Sequence, residues 1–184
     1  MTSAAASLER IGRICDAATD VPSDVPTDVP TDDRALRLEL LAEIGKVLAF
    51  DAYAWLLTDP VTSVGAAPLA DVPCLPELPE LIRLKYLTEV NRWTALDRPP
   101  AATLQQVTGG DPSRSLLWRG LLHRYDIGDV ASVVFRDRFG CWSFLDLWRA
   151  GASSRFSPDE TAYLAGLAGP VTQGLRRAQA GAFL

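Results

Sequence analysis

The run VVFRDRFGCWSFLDLWR, from Val133 to Arg149, constrains the fold more than any other stretch of the chain. Two strand-like halves flank Asp137-Arg138-Phe139-Gly140, whose acid and glycine suit the first and fourth positions of a type I turn. A two-residue loop at Phe139-Gly140 would put bulky Phe139 at positive φ, which its Cβ resists. The favoured hairpin therefore has a three-residue loop, Arg138-Phe139-Gly140, with Gly140 left-handed. In that register Asp137 pairs with Cys141, and Ser132 lies opposite Asp146. Side chains alternate along a strand. One face then shows Val130, Ser132, Val134 and Arg136 beside Trp142, Phe144, Asp146 and Trp148. The other shows Ala131, Val133 and Phe135 beside Cys141, Ser143, Leu145 and Leu147. Both faces are largely apolar, so both need cover and the strands belong inside the sheet. The aliphatic face suits packing against helices. The aromatic face, with an acid across from a serine, suits a cavity wall. Asp146 also has a plainer reading, as an acid paired with an arginine or lying at a wet edge. Arg136 can stack on Trp142.

Upstream, residues 5–18 read as a short helix with Leu8, Ile11, Cys15 and Ala18 at helical spacing. Three copies of Val-Pro-(Ser/Thr)-Asp follow, from Val21 to Asp32. A proline every fourth residue defeats helix and ladder alike, so this tract reads as an extended linker. A second helix runs from Asp33 or Arg34 to about Leu48, with Leu36, Leu40, Leu41, Ile44, Val47 and Leu48 as its apolar stripe. Ala52 to Asp59 reads as a strand, and residues 61–66 as a short return strand. After the prolines at 73, 76 and 79, a helix is expected from about Pro79 to Trp93. A third strand is expected over Ala102 to Thr108. Asp111-Pro112 then opens a helix through about His123, and Gly128 breaks the chain before the hairpin. Ser157-Pro158-Asp159-Glu160 is a capping box. The helix it opens buries Leu164, Leu167, Ala168, Val171 and Leu175, with Pro170 as a kink point. Strands in hairpins flanked by helices define an α+β class with an antiparallel sheet.

Several function classes are excluded by what is missing. The net charge of −5 argues against nucleic-acid binding by this segment alone. Three cysteines, Cys15, Cys74 and Cys141, are odd in number and far apart, so neither a disulfide framework nor a zinc site is expected. The single histidine, His123, rules out a His-rich metal centre. No apolar run is long enough to span a membrane, and the N-terminus carries no signal-peptide apolar segment. A soluble cytoplasmic protein is the expectation, without cofactor or metal.

Four stretches carry a family likeness: LIRLKYLTEVNRWTAL (Leu81 to Leu96), PSRSLLWRGLL (Pro112 to Leu122), DVASVVFRDRFGCWSFLDLWR (Asp129 to Arg149) and FSPDETAYLAGLAGPVTQGLRR (Phe156 to Arg177). With FDAYAWLLTDP they cover most of the chain from about residue 35. The chain resembles the GAF-type sensory domain at the N-terminus of actinobacterial LuxR-type transcriptional regulators. The resemblance implies a central antiparallel sheet of five or six strands. It also implies N- and C-terminal helices on one face and a small-molecule pocket on the other. Residues 1–33 would be a helix plus linker, and residues 34–184 the sensor domain. It further implies dimerisation through the terminal helices, with DNA contacted only by a helix-turn-helix domain that this chain lacks. Trp55, Tyr86, Trp142, Phe144, Asp146 and Trp148 are the expected ligand-binding residues, for a ligand of unknown identity.

The alternative is a ligand-free interaction module that acts by dimerisation alone. An enzyme is not expected. Some GAF-type proteins reduce free methionine sulfoxide with cysteines, but nothing around Cys15, Cys74 or Cys141 points to an activated thiol. Nor does a Ser/His/Asp order or an acid pair stand out near His123.

Overall fold

The structure is a computed structural model that describes residues 3–17 and 33–181, so the Val-Pro-(Ser/Thr)-Asp repeat lies outside the described residues. The elements in order are α1 (Ala4–Ala17), α2 (Asp33–Ile44), β1 (Ala52–Thr58), β2 (Gly65–Asp71), α3 (Leu78–Leu87), β3 (Ala101–Thr103), α4 (Leu104–Thr108), α5 (Leu116–Gly120), β4 (Ile127–Asp137), β5 (Gly140–Ala150) and α6 (Pro158–Gly181). Short 3₁₀ turns join several of them. The five strands form one antiparallel sheet in the order β2-β1-β5-β4-β3, an α+β arrangement of the expected class.

The hairpin sits inside this sheet because neither of its faces can meet water. β5 lies between β1 and β4, and nine consecutive residues of β4, Ile127 to Phe135, are buried. One face packs on α1, α2 and α6, with Ala131, Val133, Phe135, Leu145 and Leu147 meeting Ile11, Leu40, Ile44, Leu164, Leu167 and Val171. The other face meets α3, α5 and the turns around them, through Ala52, Ala54, Val130 and Trp148, and through Leu56, Val134 and Phe144. Both sheet faces are therefore covered, and the terminal helices share one layer.

The long register holds as read, with Ser132 opposite Asp146 and Val133 opposite Leu145. The tip does not. Asp137 pairs with Gly140, not Cys141, and a bulge follows between Phe135 and Arg136 on one strand and Ser143 and Cys141 on the other. The cause is tertiary. The Cys141 N–H donates to the Pro60 carbonyl at 3.1 Å, and a Cβ on Gly140 would lie 2.2 Å from that same oxygen. Gly140 also has φ +146°, which a side chain rarely allows. Docking against the β1–β2 turn thus sets the tip, and the bulge re-aims the next side chain. Trp142 turns to the helical layer, while Cys141 turns to the Phe144 face. The expected stack of Arg136 on Trp142 is not formed.

Other differences have local causes. β2 starts at Gly65 and ends at Asp71, later than the expected strand over 61–66, because Asp59 Oδ1 accepts from the Val61 and Thr62 N–H groups and holds a turn there. β2 is an edge strand that carries Pro68 and a positive-φ Ala67. The expected strand over Ala102 to Thr108 is three residues of β3 and then α4, because the Thr103 hydroxyl accepts from the Gln106 N–H and caps a helix. The single helix expected from Asp111 to His123 is divided: Asp111 caps a 3₁₀ turn and Ser115 caps α5 anew. Gly128 lies inside β4 rather than before it. The second helix stops at Ile44, not Leu48. The capping box of α6 forms as read, with the Glu160 N–H donating to Ser157 Oγ at 3.2 Å and the Ser157 N–H to Glu160 Oε2 at 2.7 Å. Arg149 then clamps Glu160 with two bonds, at 3.0 and 2.6 Å.

Candidate functional site

The face of the sheet under α3 holds a buried polar cluster. α3 ends at Leu87 instead of continuing to Trp93: Thr88 is extended and Asn91 takes a left-handed φ of +52°. That break swings Asn91 and Trp93 back onto the sheet. Leu81, Leu84 and Lys85 form the inward stripe of α3, so the lysine enters the core with the leucines. It arrives over Asp146, whose neighbour across the ladder is Ser132.

The geometry is closed. Lys85 Nζ lies 3.2 Å from Asp146 Oδ2 and donates to Ser132 Oγ at 2.7 Å. The Ser132 hydroxyl donates to Asp146 Oδ1 at 2.5 Å, and Trp93 Nε1 donates to the same oxygen at 2.8 Å. Asn91 Nδ2 donates to Ser132 Oγ at 3.0 Å. Lys85 also stands 5.4 Å from the Trp93 ring centre, within cation–π range. Trp93 stacks on Phe144 at 5.1 Å, and Tyr86 meets both rings edge-on. Burial pulls the Lys85 ammonium below its ordinary pKa, and the Asp146 charge and its contact oppose that shift. Lys85 and Asp146 are each 1 % exposed. Asp146 is thus paired as its plainer reading required, but with a lysine, and away from any wet edge.

Of the six residues expected around a ligand, Tyr86, Phe144, Asp146 and Trp148 lie on this face. Trp55 and Trp142 do not. Trp55 stacks on Phe135 in the helical layer, and its Nε1 donates to Ser143 Oγ at 2.5 Å. Trp142 is carried to that layer by the bulge, where its Nε1 donates to Asp137 Oδ1 at 3.0 Å. Lys85, Asn91, Trp93 and Ser132 were missing from the expected set. Trp148 Nε1, Asn91 Oδ1 and Asp146 Oδ2 are buried without a hydrogen-bond partner, Oδ2 being held only by its ion pair with Lys85. An unpaired buried polar group costs on the order of 1–3 kcal/mol.

Two pockets lie at the start of β4. A pocket of about 210 Å³ is lined by Trp118, His123, Ile127 and others, and one of about 240 Å³ by Phe156, Pro158 and Thr161. Gln105 and Arg155 line both. Beside them the fully buried Asp129 carboxylate accepts the N–H groups of Gln105 (3.0 Å), Val130 (2.9 Å) and Phe156 (3.0 Å). Burial pushes its pKa up, against the pull of those three donors.

The three cysteines are free, with no disulfide between them. All three are buried, and burial pushes the Cys15 thiol up to about 11 and the Cys74 thiol upward as well. Among the described residues no group of three His, Cys, Asp or Glu side chains is placed to hold a metal ion. Among them, too, no helix is long and apolar enough to cross a membrane. No protein-family model matches the chain, and no curated protein matches it by sequence.

Proposed function

We propose that the chain is a non-enzymatic sensory and dimerisation domain of a GAF type, working within a transcriptional regulator. A small molecule would be taken up at the short-helix side of the sheet. The change would pass to the terminal helices, and a separate helix-turn-helix segment would read DNA. The observation that carries this reading is the division of the layers: α1 and α6 share one face of the sheet, while the other holds polar groups without partners. That matches what the family likeness implies, and fold-level likeness speaks to architecture more than to activity. The outer face of α6 exposes small residues such as Ala162 and Gly169, which would let a second copy approach closely.

One observation favours the second reading, an interaction module without a ligand. Lys85 fills the space between α3 and the sheet, and Lys85, Asn91, Trp93, Ser132 and Asp146 are each at most 7 % exposed. Native mass spectrometry of the purified chain beside its denatured mass separates the two. A dimer carrying extra mass that is lost on denaturation supports the sensor. A dimer without it, unmoved by ligand screening, supports the interaction module. A monomer under all conditions defeats both.

A further inference from the structure

The two pockets at the start of β4 are each smaller than ordinary small-molecule sites of roughly 300–1,000 Å³, and reach that range only together. Gln105 and Arg155 line both. The Gln105 amide is oriented without ambiguity, because Nε2 donates to the Gly128 carbonyl at 2.6 Å. Its Oε1 is left buried with no donor, although the residue is only 7 % exposed. Buried acceptors are nearly always satisfied. Arg155 donates to the carbonyls of Ala152 and Ser154, at 2.9 and 2.7 Å, and forms no direct ion pair among the described residues, although its charge reaches the Asp129 carboxylate and favours its ionised form. The walls add aromatic surface from Trp118 on one side and Phe156 on the other.

We propose that Gln105 is the movable partition of one ligand site, and that the site takes a small aromatic carboxylic acid bearing a hydroxyl group. The carboxylate pairs with Arg155, whose planar fork suits it. The hydroxyl donates to Gln105 Oε1 as the side chain swings aside, and the ring lies against Trp118. The site is distinct from the Lys85–Asp146 cluster. Its position also offers a route to α6, since Gln105 and Phe156 donate to the same Asp129 carboxylate. Both bonds to Asp129 come from backbone N–H groups, so the route runs through a shift of the Gln105 main chain, not through its side chain alone. The binding claim stands apart from the regulator reading, and only the effect on α6 rests on it.

The test is a titration of the full, ¹⁵N-labelled chain with 4-hydroxybenzoate, followed by amide and indole resonances. Benzoate and phenol serve as probes that lack one group each. The expected result is saturable shifts of the Gln105 side-chain amide and the Trp118 indole. Benzoate and phenol should each bind at least about tenfold more weakly, as should 4-hydroxybenzoate to Gln105→Leu and Arg155→Gln. Arg155 is exposed, so its variant keeps the test open if Gln105→Leu fails to fold. No shifts up to about 10 mM, equal affinity for all three probes, or binding indifferent to Arg155→Gln overturns the proposal. So do shifts centred on the Trp93 indole. A dimer or co-purified mass seen by native mass spectrometry would survive any of these failures, so the two readings fail separately.

Discussion

Asp146→Asn isolates the charge in the buried cluster. Asparagine keeps an acceptor for the Trp93 indole and the Ser132 hydroxyl, but removes the negative charge 3.2 Å from Lys85 Nζ. Removing one member of a buried ion pair costs about 3–5 kcal/mol, mostly because the other charge stays behind. A second route gives a ceiling. Lys85 can shed its proton, and lowering a lysine from about 10.4 to pH 7 costs about 4.6 kcal/mol at about 1.36 kcal/mol per unit. The two figures agree. At pH 9 the same ceiling falls to about 1.9 kcal/mol, so the damage should shrink by more than half. Lys85→Met together with Asp146→Asn leaves no stranded charge and should lose less than Asp146→Asn alone. Urea unfolding followed by tryptophan fluorescence reads these two variants and Lys85→Met alone. With a slope near 2–3 kcal/mol per M, the single variant moves the midpoint by roughly 1–2 M at pH 7. The same loss at pH 7 and pH 9, or a double variant whose loss is the sum of the singles, would refute the stranded-charge account.

Gly174→Ala would place a Cβ 2.8 Å from Cys15 Cβ and 2.9 Å from its Sγ. Overpacking of about 1–3 kcal/mol should outweigh a helix-propensity gain of about 1 kcal/mol, so α1 loosens, and Cys15 should alkylate faster than in the native chain. In the native chain, iodoacetamide at pH 8 should modify Cys15 slowly, because the thiol is buried with a pKa near 11; a fast reaction there would contradict the burial. Glu43 accepts from Arg10 and Lys46, each at 2.7 Å. Burial raises its pKa, but the bonds from Lys46, Arg10 and Ser7 outweigh it and hold the carboxyl below the ordinary range. A lowered carboxyl adds stability above the unfolded pKa of about 4.3, and that share is lost as pH falls through the folded value. Glu43→Gln should therefore flatten the acid limb of the stability profile, as measured by urea midpoints between about pH 6 and pH 3.

How much of this was legible varies with the range of the forces involved. The α6 capping box depends on residues close in sequence and read correctly; the long hairpin pairing also matched, but only because the bulge offsets a tip that was read wrongly. Ser132 opposite Asp146 is part of that pairing. The bulge that re-aims Trp142 depends on Pro60, some eighty residues upstream, and no local pattern announces it. The break after Leu87 is similar. No glycine or proline lies between Leu87 and Trp93, so periodicity ran the helix through. The lysine did leave a signal: Lys85 follows Leu81 by four residues, inside the apolar stripe of α3. An acid in an apolar strand demands a partner, and a lysine in an apolar helix face is where to seek it.

The strand order fixes how copies of this chain can meet. One margin of the sheet is β2, where Pro68 has no N–H to offer and Ala67 twists the backbone out of line. The other is β3, only three residues long. Neither margin is a template on which a further strand could lengthen the sheet. Assembly by backbone pairing, including the growth of fibres, has no place to start along these margins. Among the described residues, that leaves side chains rather than strand pairing to hold copies together, and single substitutions can tune such a contact.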